Sequence, residues 1–210
     1  MVKILLIDGP ISVGKSSLAR RLFKDFQEHE NVVVLEEPLN VITQSGKHNT
    51  LNFIESSPAV TQLFIVQRLA EYYRNILASI PKDSILILDR YLISCFVFTR
   101  NLYQNDMITV FERDFILEAI RKEFETLPYP DGILFIRRDL QTCLKNIEAR
   151  GRPAERWLTE TATGAAYLAG LLDSFKTAED NWTGHMVVNK GSDDLLKDFH
   201  TLMTLMKNSK

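Results

Sequence analysis

The sequence predicts an α/β fold: a doubly wound sheet of about five parallel strands flanked by helices. Three observations predict it. Short apolar runs alternate with longer helical patterns. Four of the five runs are continuous rather than alternating, as expected for strands covered on both faces. Charged residues gather just after the runs, at the strand ends where open α/β sheets place their ligands.

The first run, residues 2–8, stops at Asp8 and Gly9. A helical pattern over 16–28 then sets Leu18, Leu22, Phe23 and Phe26 on one face. The second run, 31–36, ends in Glu36-Glu37-Pro38, and proline biases the residue before it away from helix. The stretch 38–57 is polar, mixed and without a clear period. Residues 59–79 place Ile65, Val66, Leu69, Tyr72, Tyr73 and Ile76 on one helical face, with Phe64, Gln67, Arg68 and Glu71 opposite. The third run, 84–89, ends at Asp89-Arg90 and the fourth, 131–137, at Arg137-Arg138; a fifth covers 185–189. Further helical patterns cover 106–126, 139–149, 157–177 and 192–206. No repeat, low-complexity segment or linker interrupts the 210 residues, so a single domain over 1–210 is expected.

Composition narrows the function. Hydrophobic residues are 45% and charged residues 25% of the chain, enough apolar material for a sizeable core. A net charge of −2 provides no global field for nucleic acid or an anionic membrane, so anion binding must come from a local cluster. Cys95 and Cys143 are far apart in apolar surroundings and read as reduced core thiols. The four histidines show no metal-ligand spacing. The N-terminal run leads into a glycine loop rather than a signal-peptide cleavage site, and no run approaches the ~20 residues of a membrane helix. A soluble, cytoplasmic protein is expected.

Residues 9–16, Gly9-Pro10-Ile11-Ser12-Val13-Gly14-Lys15-Ser16, match the Walker A pattern, with Ser17 following. The glycines allow backbone N–H groups to turn inward around phosphates, and the loop opens a helix whose N-terminus favours an anion. Lys15 can reach the β- and γ-phosphates of ATP, and the Ser16 hydroxyl can ligate Mg²⁺.

Three groups are candidates to face the phosphate. Glu37, fixed before Pro38, could take a proton from a substrate hydroxyl, although on local sequence alone a solvated acidic strand end is the stronger reading. Asp89 stands where an acid would help organise Mg²⁺, and Arg90 beside it could meet the transferred phosphoryl group. Arg150, Arg152 and Arg156 surround Gly151 and Pro153 in a helix-breaking segment, a lid over about 150–156 that could close on phosphates.

This constellation resembles the deoxynucleoside kinase family, including the herpesviral thymidine kinases and the cellular deoxycytidine and deoxyguanosine kinases. The residues that carry the resemblance are DGPISVGKSS, the LEEP segment, LDRYLIS, FIRRDLQTCLKNIEARGRPAER and the helix containing Gln67. The resemblance implies a P-loop NTPase-type fold and ATP-dependent phosphorylation of a deoxynucleoside. It implies Glu37 as general base for the 5′-hydroxyl, Arg90 near the 5′-oxygen, and Asp89 near Mg²⁺. It also implies Gln67 as reader of the base, Arg74 as a further base-side arginine, and Phe98 as the aromatic against the base. Arg150 and Arg152 then look like lid arginines and Glu155 like the acid for the sugar 3′-hydroxyl. A homodimer is the expected assembly, with deoxynucleoside and ATP as small-molecule partners. The chain departs from the family pattern at Ile42, at Phe53 and Ile54, and at Asn146. Cys95 stands where members preferring cytosine or purines carry an aspartate, which leans the expected acceptor toward thymidine and related pyrimidines.

Two other readings stay open on sequence. LFIVQRLAE also resembles the base-binding helix of thymidylate kinases, with Phe64 stacking and Arg68 contacting thymine. The carboxylates of LEEP oppose that reading, because they would repel the acceptor's own phosphate. A non-catalytic P-loop switch would have little need for an acid, two site arginines and a lid.

Overall fold

The computed structural model describes residues 1–38, 57–191 and 194–207. Ile42, Phe53 and Ile54 lie outside them. Among the described residues five strands form one parallel sheet: β1 (Lys3–Asp8), β2 (Val32–Leu35), β3 (Ile85–Asp89), β4 (Gly132–Ile136) and β5 (His185–Asn189), in the spatial order β2-β3-β1-β4-β5. The register pairs Ile7 with Asp89 and with Leu134, so β3, β1 and β4 end within two residues of one another at one edge of the sheet. β4 is buried throughout and β1 beyond Lys3, which explains their unbroken apolar character.

Among the described residues the helices are α1 (Lys15–Phe26), α2 (Pro58–Ser79), α3 (Leu92–Gln104), α4 (Val110–Glu123), α5 (Leu140–Arg150), α6 (Trp157–Glu160), α7 (Ala162–Asp180) and α8 (Leu195–Lys207). The connection from β1 runs toward the β2 edge, and those after β2, β3 and β4 run the other way. Right-handed crossovers therefore put α1 on one face and α2 to α7 on the other. α8 returns beside α1 against β4 and β5.

Local chemistry explains the helix starts. Ser57 accepts the Val60 N–H ahead of Pro58, Thr109 and Glu112 form a reciprocal capping box, and Asp139 accepts the Thr142 N–H.

The structure corrects three sequence expectations. α3 has no counterpart among the expected helices, because it packs among α2, α4 and α7 and shows no simple polar stripe. The expected helix over 157–177 is two helices, since Thr161 is extended and caps α7 by accepting the Gly164 N–H. Phe23, expected on the buried face of α1, is 55% exposed, while Leu18 and Leu22 enter the core.

Candidate active site

The loop between β1 and α1 has the shape a phosphate requires. Gly9 adopts φ +144°, and a Cβ there would lie 2.4 Å from the Ile136 carbonyl oxygen, so only glycine fits. Gly14, at φ +106°, turns the chain into α1. Pro10 and Val13 are buried, Ile11 is half-buried and Ser17 is exposed. Ser12 holds a left-handed φ of 63°, and its carbonyl accepts a 2.9 Å hydrogen bond from Asn146 on α5. Asn146, a departure from the family pattern, thus ties the helix before the Arg-rich segment to the loop.

Lys15 is buried and folds back on the loop, donating to the carbonyls of Gly9 (3.1 Å) and Pro10 (2.6 Å). Burial lowers its pKa to about 8; Arg90 acts in the same direction, and Asp89, Glu37 and Asp8 oppose them. Ser16 donates to Asp89 Oδ2 at 2.6 Å. Asp89 Oδ1 is buried without a hydrogen-bond partner, and burial raises the pKa of this carboxyl. A hydroxyl and a carboxylate with an unsatisfied oxygen, beside a phosphate loop, fit Mg²⁺, which takes one or two protein oxygens together with phosphates. Among the described residues no group of three or more His, Cys, Asp or Glu forms a metal site of its own.

Arg90 is the centre of the cluster. Its backbone is left-handed at φ 71°, unusual for a bulky residue. Two hydrogen bonds hold it there: the Arg90 N–H donates to Ile7 O (3.1 Å), and the buried Tyr73 hydroxyl donates to Arg90 O (2.8 Å). Its Nε meets Glu37 Oε1 at 2.8 Å, and one terminal nitrogen stands 3.6 Å from Asp8 Oδ1. The guanidinium carbon lies 4.9 Å from the Phe98 ring centroid and 6.0 Å from that of Phe175. Burial works against the charge, but Glu37, Asp8 and Asp89 outweigh it and hold the pKa above its ordinary value.

The structure therefore brings Lys15, Ser16, Glu37, Asp89, Arg90 and Phe98 together. Arg150 ends α5 and Arg152 follows its cap, Gly151. Arg150 pairs with Glu155, and Arg152 stands 3.6 Å from the same carboxylate. On α2, Gln67 and Phe64 are exposed and Arg68 pairs with Glu71 at 2.7 Å. Arg74 pairs with Glu123 and approaches Thr126 (3.4 Å) near the end of α4. The buried glutamine of α2 is Gln62, whose amide donates to Cys95 O at 3.2 Å. Cys95 itself is buried, which pushes its thiol up to about 12 and keeps it uncharged.

Several site residues escape sequence reasoning. Asp8 ends an apolar run and was legible by position, but nothing marked its pairing with Arg90. Tyr73 reads as one more residue of an apolar stripe, and Phe175 reaches the site from distant α7. Ser94, on the unexpected helix α3, donates to the buried Asp8 Oδ2 at 2.7 Å.

Comparison with known proteins now decides the family. Residues 5–209 match the family model described as deoxynucleoside kinase. The chain belongs to the deoxynucleoside kinase family. A relative within the family, the deoxyguanosine kinase of Dictyostelium discoideum, is 28% identical over 178 residues, which is 83% of this chain. The chain spans only 58% of that relative's length. Structures of the M. mycoides deoxyadenosine kinase share the fold. The one with bound dCTP superposes with a TM-score of 0.72 at 15% identity, and the one with bound dATP with 0.72 at 14%. Each comparison covers 97% of this chain and 98% of the other.

Proposed function

We propose that this deoxynucleoside kinase family member transfers the γ-phosphate of ATP to the 5′-hydroxyl of a deoxynucleoside. The observation that carries the reading is the Glu37–Arg90 pair, 2.8 Å across, in one buried cluster with Lys15 of the phosphate loop. A hydroxyl acceptor needs a group to take its proton, whereas a monophosphate acceptor does not, and a carboxylate here disfavours the latter.

In the proposed mechanism the loop N–H groups and Lys15 hold the donor phosphates, and Lys15 exchanges its contacts with Gly9 O and Pro10 O for phosphate oxygens. Glu37 accepts the proton of the 5′-hydroxyl. Arg90 orients Glu37 through Nε and offers its terminal N–H groups to the transferred phosphoryl oxygens. Ser16 and Asp89 would hold Mg²⁺, which supplies charge neutralisation on the β- and γ-phosphates. Arg150 and Arg152 would leave Glu155 to cover the phosphates, freeing that carboxylate for the sugar 3′-hydroxyl. Phe98, beside Arg90, is the proposed aromatic against the base. Gln67, Arg68, Phe64 and Arg74 remain proposed base-side groups, each of which must turn from its present environment to serve.

The proposed acceptor is thymidine or a related pyrimidine, because uncharged Cys95 offers no carboxylate to an exocyclic amine. A purine deoxynucleoside is the second reading, favoured by the Dictyostelium relative. The proposed assembly is a homodimer, supported by the exposed, stacked Phe111 and Phe115 on α4. The proposed compartment is the cytoplasm; among the described residues no helix is long and apolar enough to cross a membrane. The test is an acceptor panel with ATP–Mg²⁺, offering thymidine, deoxycytidine, deoxyadenosine, deoxyguanosine and dTMP separately. Phosphorylation of a nucleoside supports the reading, and phosphorylation of dTMP alone replaces it with thymidylate kinase activity.

A further inference from the structure

Asp8 is the last residue of β1 and is fully buried. Its two oxygens are both engaged by neutral donors: Oδ1 by the Gly9 N–H at 2.8 Å and Oδ2 by the Ser94 hydroxyl at 2.7 Å. A buried carboxylate with only neutral donors is costly unless a cation faces it. Arg90 does so at 3.6 Å, close enough for strong attraction but too far for a hydrogen bond. That terminal nitrogen of Arg90 is itself buried and has no hydrogen-bond partner. Asp8 thus restrains the guanidinium without consuming its donor. Tyr73 fixes the backbone of Arg90, Glu37 takes Nε, and Phe98 and Phe175 flank the charge. An ordinary structural ion pair would use the donor; here it is left for another acceptor.

We propose that Asp8, oriented by Ser94, is a positioning residue for Arg90, holding its unpaired terminal N–H toward an oxygen of the transferred phosphoryl group. This rests on the reading of Arg90 as the arginine that meets that group. Ser94 sits in the first turn of α3, so the helix that sequence periodicity does not reveal is the one that sets the catalytic arginine.

Two substitutions test it. Asp8→Asn keeps an oxygen for the Gly9 N–H and removes the charge. Ser94→Ala keeps the charge and removes the hydroxyl that aims it. Loss of arginine alignment should lower kcat by ~10–100-fold in Asp8→Asn, the scale of misplaced catalytic groups, and by less in Ser94→Ala. KM for ATP should stay unchanged in both. The Arg90 Nε–H resonance, assigned by its absence in Arg90→Lys, should shift in both. If Asp8→Asn does not fold, Ser94→Ala carries the same readouts. Unchanged kcat and an unmoved resonance overturn the proposal. So does a raised KM for ATP at unchanged kcat, which would make Asp8 a brace of the phosphate loop through Gly9. If the wild-type protein phosphorylates no nucleoside, the functional reading fails, and the resonance alone decides for or against the Asp8–Arg90 coupling.

Discussion

Arg90 Nε lies 2.8 Å from Glu37 Oε1, joining the end of a central strand to the carboxylate that follows the edge strand β2. In the proposed mechanism the pair sets the base and the phosphoryl-binding cation side by side, so that the two groups move as one. Replacing Glu37 by Gln keeps the shape and removes the basicity. Turnover should fall by ~10²–10⁴ with donor nucleotide binding retained, the usual range for loss of a general base. Single-turnover kinetics together with ATP titration checks both halves.

Lys15 gives a pH signature. Burial lowers its pKa to about 8; the phosphates of a bound donor should raise it again, so that binding takes up a proton above that pH. The Lys15 contribution to donor affinity should be constant below about pH 8 and fade between about 8 and 10 as the free lysine loses its charge. Calorimetry across that range checks the slope, and Lys15→Met should abolish it along with most of the affinity.

Asp89 accepts from Ser16 at 2.6 Å, and the two are the proposed holders of Mg²⁺. Asp89→Asn should raise the Mg²⁺ concentration needed for half-maximal turnover and lower kcat by ~10-fold or more, as expected when one carboxylate of a Mg²⁺–phosphate site is lost. Turnover titrated with Mg²⁺ at fixed ATP reads both effects.

Gly9 tests the loop geometry independently of activity. With φ +144° and no room beside Ile136 O, Gly9→Ala should destabilise the fold by about 3 kcal/mol or more, in the range of strained and overpacked substitutions. Urea unfolding measures it.

The sheet was legible because its strands are continuous apolar runs, buried in β1 beyond Lys3 and throughout β4, whose length and continuity need no partner to be recognised. The phosphate loop was legible because glycine spacing and a following helix are both local. Glu37, Asp89 and Arg90 were legible as strand ends. What escaped was whatever depends on packing between distant segments. α3 looks like no amphipathic helix because three helices surround it. Tyr73 and Phe175 serve the site from positions whose local pattern says only core. For Gln67 the resemblance implies a base reader, a role its local pattern does not mark; in the structure it is exposed and Gln62 is buried. The pairing of Arg150 and Arg152 with Glu155 likewise needed the turn at Gly151 to bring them together.

The most direct test of the central claim follows label from the γ-phosphate of ATP, with Mg²⁺, into acceptor by the wild-type protein and by Glu37→Gln. The account predicts a labelled deoxynucleoside 5′-monophosphate with wild type and a trace of the same product with Glu37→Gln. Label reaching no nucleoside, or reaching it equally fast with Glu37→Gln, would contradict it.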